Sequence, residues 1–266
     1  MFTSQEVFPG IFHITDAMGV SFTLLAGSER ALLIDTGYGL EDAAAYVRTL
    51  TSRPVDVLLT HGHHDHALGA RWFPSVQMSA EDLPVFRLRT ADAQRARVLE
   101  QAAAKGLRAP EDFMAAPIPD PEPVAWDRTL AGFPCRLYNP GGLEVLAVQV
   151  PGHTPGSVMA FVPKYGLLLT GDDWNPCTWV FFPEALGAKT YRDNMRALLA
   201  LPFESVLCPH SAAIHARAEL EAFLDGLSDG ALAAAPASDT GAPYGVGTRE
   251  VRLPREMVFV FDGAKA

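Results

Sequence analysis

Cysteine is scarce in this chain: Cys135, Cys177 and Cys208 are the only three in 266 residues, and no two form a CxxC pair. That excludes a disulfide framework and fits a reducing compartment. Long apolar runs are missing as well, none approaching the roughly 18 consecutive residues that cross a bilayer. The opening segment MFTSQEVFPGIFHIT has neither the basic stretch nor the apolar stretch of a secretory signal, so a cytoplasmic location is expected. Positive charge is the minority, with 21 Lys and Arg against 31 Asp and Glu and a net charge of −10. Such a field repels nucleic acid and anionic lipid, and neither is expected as a partner. Internal repeats are not visible. What remains is 48% hydrophobic and 20% charged, the composition of an ordinary globular protein with an ample core.

Short β-branched and apolar runs closed by turn residues fill the first part of the chain: Ile11–Thr15, Ser21–Ala26 and Ala31–Ile34. Gly27-Ser28-Glu29-Arg30 joins the last two as a hairpin. Glu41–Leu50 reads as a helix, with acidic residues in its first turn and Arg48 near its end. Val55–Leu59 is too short for a helix and reads as a buried strand. This strand, helix, strand order predicts an α/β layer architecture. Leu83–Ala116 is helical in composition, with Gly106 as a stop, and the prolines of Pro117–Pro123 predict extended linker. Residues 80–123 are therefore read as a helical excursion that could serve as a lid. Strands resume at Arg136–Tyr138, Leu143–Val150, Val158–Val162 and Leu167–Thr170. Tyr191–Leu201 and Ala216–Leu227 read as helices around a short strand at Ser205–Cys208. Residues 230–247, rich in Ala, Gly, Pro and Ser, predict a surface connection. A terminal strand, Met257–Phe261, follows and offers an edge for a homodimer.

Four of the eight histidines fall between His61 and His66. At a strand end, side chains at i and i+2 share a face, so His61 and His63 can grip one metal ion. Gly62 allows the tight turn between them, and Asp65 and His66 can point toward a neighbouring second site. Imidazole and carboxylate donors suit zinc, with iron or manganese as substitutes. A structural zinc would more often recruit cysteine, and none is near, so an open catalytic site is expected.

Thr60-His61-Gly62-His63-His64-Asp65-His66 resembles the HxHxDH signature of the metallo-β-lactamase-fold superfamily. Further segments match that family in order. They are Leu33-Ile34-Asp35-Thr36-Gly37, Pro151-Gly152-His153-Thr154-Pro155-Gly156-Ser157, Leu169-Thr170-Gly171-Asp172 and Cys208-Pro209-His210. The resemblance implies one αββα sandwich over residues 1–266, two mixed sheets flanked by helices, with a C-terminal extension at 230–266. It implies that His61, His63 and His153 bind one metal, that Asp65, His66 and His210 bind a second, and that Asp172 bridges them. Two divalent ions, zinc foremost, would then generate hydroxide from water, with Asp65 and Asp172 as the catalytic carboxylates. Asp35 and Thr60 are expected behind the ligands, orienting them, although Asp35 reads equally well as a turn cap.

Beyond the bridging aspartate, Trp174, Asn175, Trp179 and Phe181 are candidate pocket residues for a small-molecule substrate. His64 is a further candidate, with an exposed bystander the more usual outcome. His13, His215 and Cys208 read as structural. Arg87, Arg89, Arg95 and Arg97 could meet an anionic substrate, although a solvated helix face is the commoner role. The implied activity is hydrolysis of a small ester, lactone, thioester or related acyl bond. The alternative is a persulfide dioxygenase with a single iron; a phosphodiesterase, nuclease or β-lactamase ranks below both.

Overall fold

Short apolar runs become strands here and amphipathic runs become helices, and their order decides where the candidate ligands fall. The computed structural model describes residues 1–266, which form two compact units. The first comprises Met1–Ala125 and Leu137–Val145, the second Trp126–Arg136 and Leu146–Ala266.

The first unit carries a seven-stranded sheet in simple chain order: β1 (Thr3–Phe8), β2 (Ile11–Thr15), β3 (Ser21–Ala26), β4 (Ala31–Ile34), β5 (Val55–Leu58), β6 (Gln77–Met78) and β7 (Glu122–Pro123). β1 to β4 form an antiparallel meander, and β4 to β7 run parallel. β1 is missed by hydrophobic periodicity because most of its side chains are exposed. The helices are α1 (Ala43–Leu50), α2 (His64–Ala67), α3 (Leu83–Arg89) and α4 (Asp92–Ala104). α1 begins where the Asp42 carboxylate accepts the Ala45 N–H at 2.7 Å, an N-cap of the usual kind. Phe22, Leu24, Leu33, Val47, Val57 and Leu59 form the centre of this unit's main core.

The helical excursion is shorter than its composition predicts. α4 ends at Ala104, Gly106 follows at φ +71°, and the chain beyond is irregular until β7. Arg95 ties that segment down by donating to the carbonyls of Phe113 and, at 3.0 Å, Ala116. Its guanidinium is buried, and burial lowers its pKa from the usual arginine value. Arg95 therefore acts as a clasp, its donors turned to main-chain carbonyls. The proline segment supplies extended backbone that pairs with β6, so its end is a strand.

A second seven-stranded sheet contains β8 (Arg128–Leu130), β9 (Phe133–Tyr138), β10 (Val145–Gln149), β11 (Val158–Val162) and β12 (Leu167–Leu169). After β13 (Cys177–Val180), which leaves for another sheet, β14 (Ser205–Leu207) and β15 (His215–Ala216) complete it in the order β15-β14-β12-β11-β10-β9-β8. β10 and β12 both pair antiparallel with β11, and β14 pairs parallel with β12. β10, β12 and β14 consequently point the same way, and the loops after them leave from one edge.

Only two sheets are expected from the sequence, but there is a third. β13 pairs parallel with β18 (Val258–Asp262), β18 antiparallel with β17 (Thr248–Arg252), and β17 with β16 (Ala237–Ser238). Residues 230–247 thus contribute structure, including part of α7 (Asp229–Ala234), which follows α5 (Ala188–Ala197) and α6 (Arg217–Gly226). β18 is paired on both sides, so it offers no open edge for a dimer. Its Phe259 is fully buried, stacked at 5.1 Å on Tyr191 and 5.4 Å on Phe261 and edge-on at 5.9 Å to Phe223. Replacing Phe259 by Ala should cost about 3–5 kcal/mol. Urea unfolding followed by circular dichroism should show a lower midpoint.

Candidate metal centre

The first unit places its candidate ligands in the turn after β5 and at the start of α2. The carboxylate that orders them is Asp35, at the end of the neighbouring parallel strand β4. It is buried, and its backbone lies at φ +66°, a conformation that Asp tolerates better than most residues. Asp35 Oδ1 accepts the Thr60 N–H at 2.7 Å, and Oδ2 accepts the Thr60 hydroxyl at 2.8 Å. The same Oδ2 accepts His66 Nδ1–H at 2.9 Å. Since the Thr60 hydrogen is engaged with Asp35, its Oγ1 accepts from His61 Nδ1–H at 3.0 Å. One buried carboxylate therefore sets the tautomer of two imidazoles, leaving each an Nε2 lone pair. The ring centroids of His63 and His66 lie 4.7 and 4.2 Å from that of His61. Asp65 Oδ2 sits 3.5 Å from His66 Nε2.

The backbone here has little freedom. Gly62 donates its N–H to Asp82 Oδ2 at 2.6 Å, and a Cβ at Gly62 would lie 2.3 Å from the Phe86 nitrogen in α3. Thr36 binds the His66 carbonyl through both its N–H, at 2.9 Å, and its hydroxyl, at 2.7 Å.

In the second unit the candidate ligands stand in the loops after β10, β12 and β14, on the shared edge. His153 donates Nδ1–H to the Trp179 carbonyl in β13 at 2.6 Å, and its backbone N–H to Asp173 Oδ1 at 2.7 Å. A carbonyl can only accept, so His153 also carries a lone pair on Nε2. That atom faces Asp172 Oδ2 at 3.7 Å, while Asp172 Oδ1 is 3.1 Å from His210 Nε2. Asp172 Oδ2 also lies 3.2 Å from His210 Nε2, so one carboxylate oxygen stands near both imidazoles. Asp173, beneath it, is itself anchored, its carbonyl accepting the Tyr191 hydroxyl.

The donor chemistry fits a divalent cation. Each unit holds an imidazole lone pair against a carboxylate oxygen, His66 against Asp65 and His153 against Asp172, and two acceptors face to face are favourable only with a positive charge between them. Nitrogen and oxygen donors without cysteine suit zinc and its substitutes. Cys208 lies two residues from His210, but burial, with the Asp172 charge beside it, pushes its thiol up to about 12. It is buried and stands outside both groups of candidate ligands, the place of a small filler.

The other candidates sort by burial. Trp174 and Phe181 have no exposed surface, Trp174 in the main core of the second unit and Phe181 beneath the Trp179 and Phe182 rings, so neither lines an open pocket. Asn175 is buried in a turn, its Oδ1 accepting the Cys177 N–H at 2.9 Å. Trp179 is half-buried and keeps a face outward. His64 is half-buried, edge-on to the Tyr38 ring at 5.5 Å. His13 bonds Thr23 at 3.1 Å, and His215 bonds Ser211 and Glu219 at 3.0 and 3.1 Å, as structural histidines do. Asp82, Asp173 and the Trp179 carbonyl were not expected. Asp82 stands 20 residues from the glycine it holds, and a main-chain acceptor leaves no signal in sequence.

Asp35→Ala should leave secondary structure intact while weakening metal affinity about 10–100-fold, the usual effect of losing a ligand-orienting partner. Competition with a chromophoric chelator, beside circular dichroism, measures both. Burial pushes the Cys135 thiol up to about 11, as it pushes up Cys208, whereas Cys177 is exposed. Native protein should accordingly react with a thiol reagent at Cys177 alone, and at all three cysteines after denaturation.

No helix of the chain is long and apolar enough to cross a membrane. The sequence profile of the Metallo-beta-lactamase superfamily matches residues 15–210. Among curated proteins, the acyl-coenzyme A thioesterase MBLAC2 of Gallus gallus is 26% identical over 207 residues, covering 66% of this chain and 69% of that protein. The Beta-lactamase-like protein 2 homolog of Drosophila melanogaster is 28% identical over 161 residues, covering 58% of this chain and 46% of that protein. Among solved structures, a metallo-beta-lactamase from Pontibacter korlensis superposes with a TM-score of 0.59 at 17% identity, covering 85% of this chain and 98% of that one. A sec-alkylsulfatase from Pseudomonas sp. gives 0.64 at 17% identity, covering 85% of this chain and 41% of that one. At these identities the structures share the fold alone. The profile match spans most of the chain, and with the paired histidine and aspartate motifs it leads to one conclusion: the chain belongs to the metallo-β-lactamase superfamily and has that family's mixed α/β fold.

Proposed function

We propose that this protein is a metal-dependent hydrolase of small esters, lactones, thioesters or related acyl compounds. His61, His63 and His153 would hold one divalent cation, Asp65, His66 and His210 a second, and Asp172 would be shared. The observation that carries the reading is the pair of lone-pair-to-carboxylate contacts, His66 with Asp65 and His153 with Asp172. The thioesterase named among the relatives supports an acyl substrate. We take zinc as the metal, a small molecule as the substrate and the cytoplasm as the location.

Bound there, two divalent cations supply a strong nucleophile from water at neutral pH and polarise the acyl oxygen under attack. The chain's own residues perform the remaining tasks. Asp65, only 14% exposed in its side chain, accepts the proton released by the attacking water and returns it to the leaving group. Asp172, whose Oδ2 lies near both His153 and His210, would be the carboxylate shared by the two cations. Asp35 and Thr60 hold His61 and His66 in the tautomer that binds a cation. A complete second set around Asp65 and His66 supports two ions over the single iron of a dioxygenase.

Elemental analysis of protein purified without added metal or chelator should find about two zinc ions per chain. One iron per chain, with oxygen uptake on glutathione persulfide, would replace this reading by the dioxygenase. His153→Ala and Asp172→Ala should each lower thioester and ester turnover at least about 100-fold, with metal loss and an unchanged circular dichroism spectrum. Full turnover in either variant would refute the assignment.

A further inference from the structure

Beside His153 the second unit presents a cluster of rings that the ligand set does not require. Phe182 meets His153 edge-on at 6.2 Å, and Tyr244 meets Phe182 edge-on at 5.1 Å. Trp179 closes the group at 6.2 Å from Tyr244 and 6.4 Å from Phe182, and the fully buried Phe181 lies beneath, 4.6 Å from Phe182. Tyr244 is 48% exposed, an unusual state for a large ring packed on three others. It lies beyond residue 210, where the match to the superfamily profile ends.

The ring is also held in place. Tyr244 ends a short helical turn, Ala242–Tyr244, in the connection between β16 and β17, and Gly245 turns the chain at φ +72°. The Thr248 hydroxyl donates to the Ser238 carbonyl at 2.8 Å and accepts the Gly241 N–H at 3.1 Å, while Val246 N–H bonds the Gly241 carbonyl at 3.1 Å. β13, whose Trp179 carbonyl orients His153, belongs to the same sheet as β16 and β17. One sheet therefore carries both the carbonyl that aims a ligand and the ring that stands exposed near it. A ring fixed before binding loses little entropy when covered.

We propose that Tyr244, with Phe182 and Trp179, forms the wall of an acyl-chain subsite beside His153, selecting substrates with a medium-length apolar acyl group over acetyl compounds. The bond cleaved rests on the hydrolase reading above; the binding of the apolar group does not. The wall is made of rings, whose faces and edges suit methylene groups. Full burial of one methylene is worth about fourfold in affinity, so contact with one wall is worth about twofold. Several methylenes then give a preference of about tenfold.

The test uses octanoate and acetate, both product-like carboxylates, titrated calorimetrically into the metal-loaded full chain. Wild type should bind octanoate about tenfold more tightly than acetate. Tyr244→Ala should reduce that ratio about threefold or more, since only Phe182 and Trp179 remain, and Tyr244→Phe should retain it because the ring supplies the contact. Equal affinities in wild type, or an unchanged ratio in Tyr244→Ala, would overturn the subsite. Turnover of p-nitrophenyl acetate and octanoate separates the two readings. Tyr244-dependent octanoate binding with no turnover of any ester or thioester would retain the subsite and remove the hydrolase. Turnover with an octanoate preference indifferent to Tyr244→Ala would do the reverse.

Discussion

The Asp35 carboxylate is the interaction on which the first half of the centre depends. It is buried, it stands at φ +66°, and it receives a backbone N–H, a hydroxyl and an imidazole N–H. The left-handed conformation costs a non-glycine residue about 1–2 kcal/mol. Hydrogen bonds to a charged acceptor, about 1.5–3 kcal/mol each, offset that cost. Two imidazoles are aimed by this one group, so its position matters more than that of either ring alone. In the second unit the same task falls to unlike groups: a main-chain carbonyl of β13 fixes the His153 ring and the Asp173 carboxylate fixes its backbone.

Both units show what it takes to keep acceptors facing one another. The glycine inside each ligand loop has no room for a side chain, since a Cβ at Gly62 would meet the Phe86 nitrogen at 2.3 Å and one at Gly152 would meet Asp173 Oδ1 at 2.5 Å. Close packing, of Gly62 on the α3 backbone and of Gly152 on the Asp173 and Tyr191 side chains, holds the ligands where a flexible turn would let them separate. Metal affinity and folding stability are linked in such a site, because a cation bound there would relieve a repulsion that the fold itself imposes.

The aromatic segment after Asp172 shows how a strand sorts its residues. In β13, Thr178 and Val180 are buried while Trp179 between them is half-exposed, the alternation that a strand's two faces require. Trp174 and Phe181 enter the core, and Trp179 and Phe182 stay near the surface. Pairing of β13 with β18, more than 70 residues later in the chain, fixes which face is which.

How much could be read directly depended on whether the cause was local. The strands from Ile11 to Ile34, the α1 helix and the hairpin at Gly166 follow from nearby residues, because apolar runs, an N-cap and a turn glycine act over a few positions. The seven candidate ligands were legible because each sits in a short motif at a strand end. β1 and the third sheet were not legible, the first because its side chains face solvent, the second because its pairs join distant segments. The irregular run after Ala104 depends on Arg95 reaching carbonyls 18 and 21 residues away. The sequence by itself determined the family, the donor chemistry and the local elements, since those rest on residue type and short spacing. Tertiary structure alone decided the Asp82 and Asp173 supports, the core fate of Trp174 and Phe181 and the exposure of Tyr244. Each of these depends on contacts between segments far apart in the chain, where no short-range periodicity carries a signal.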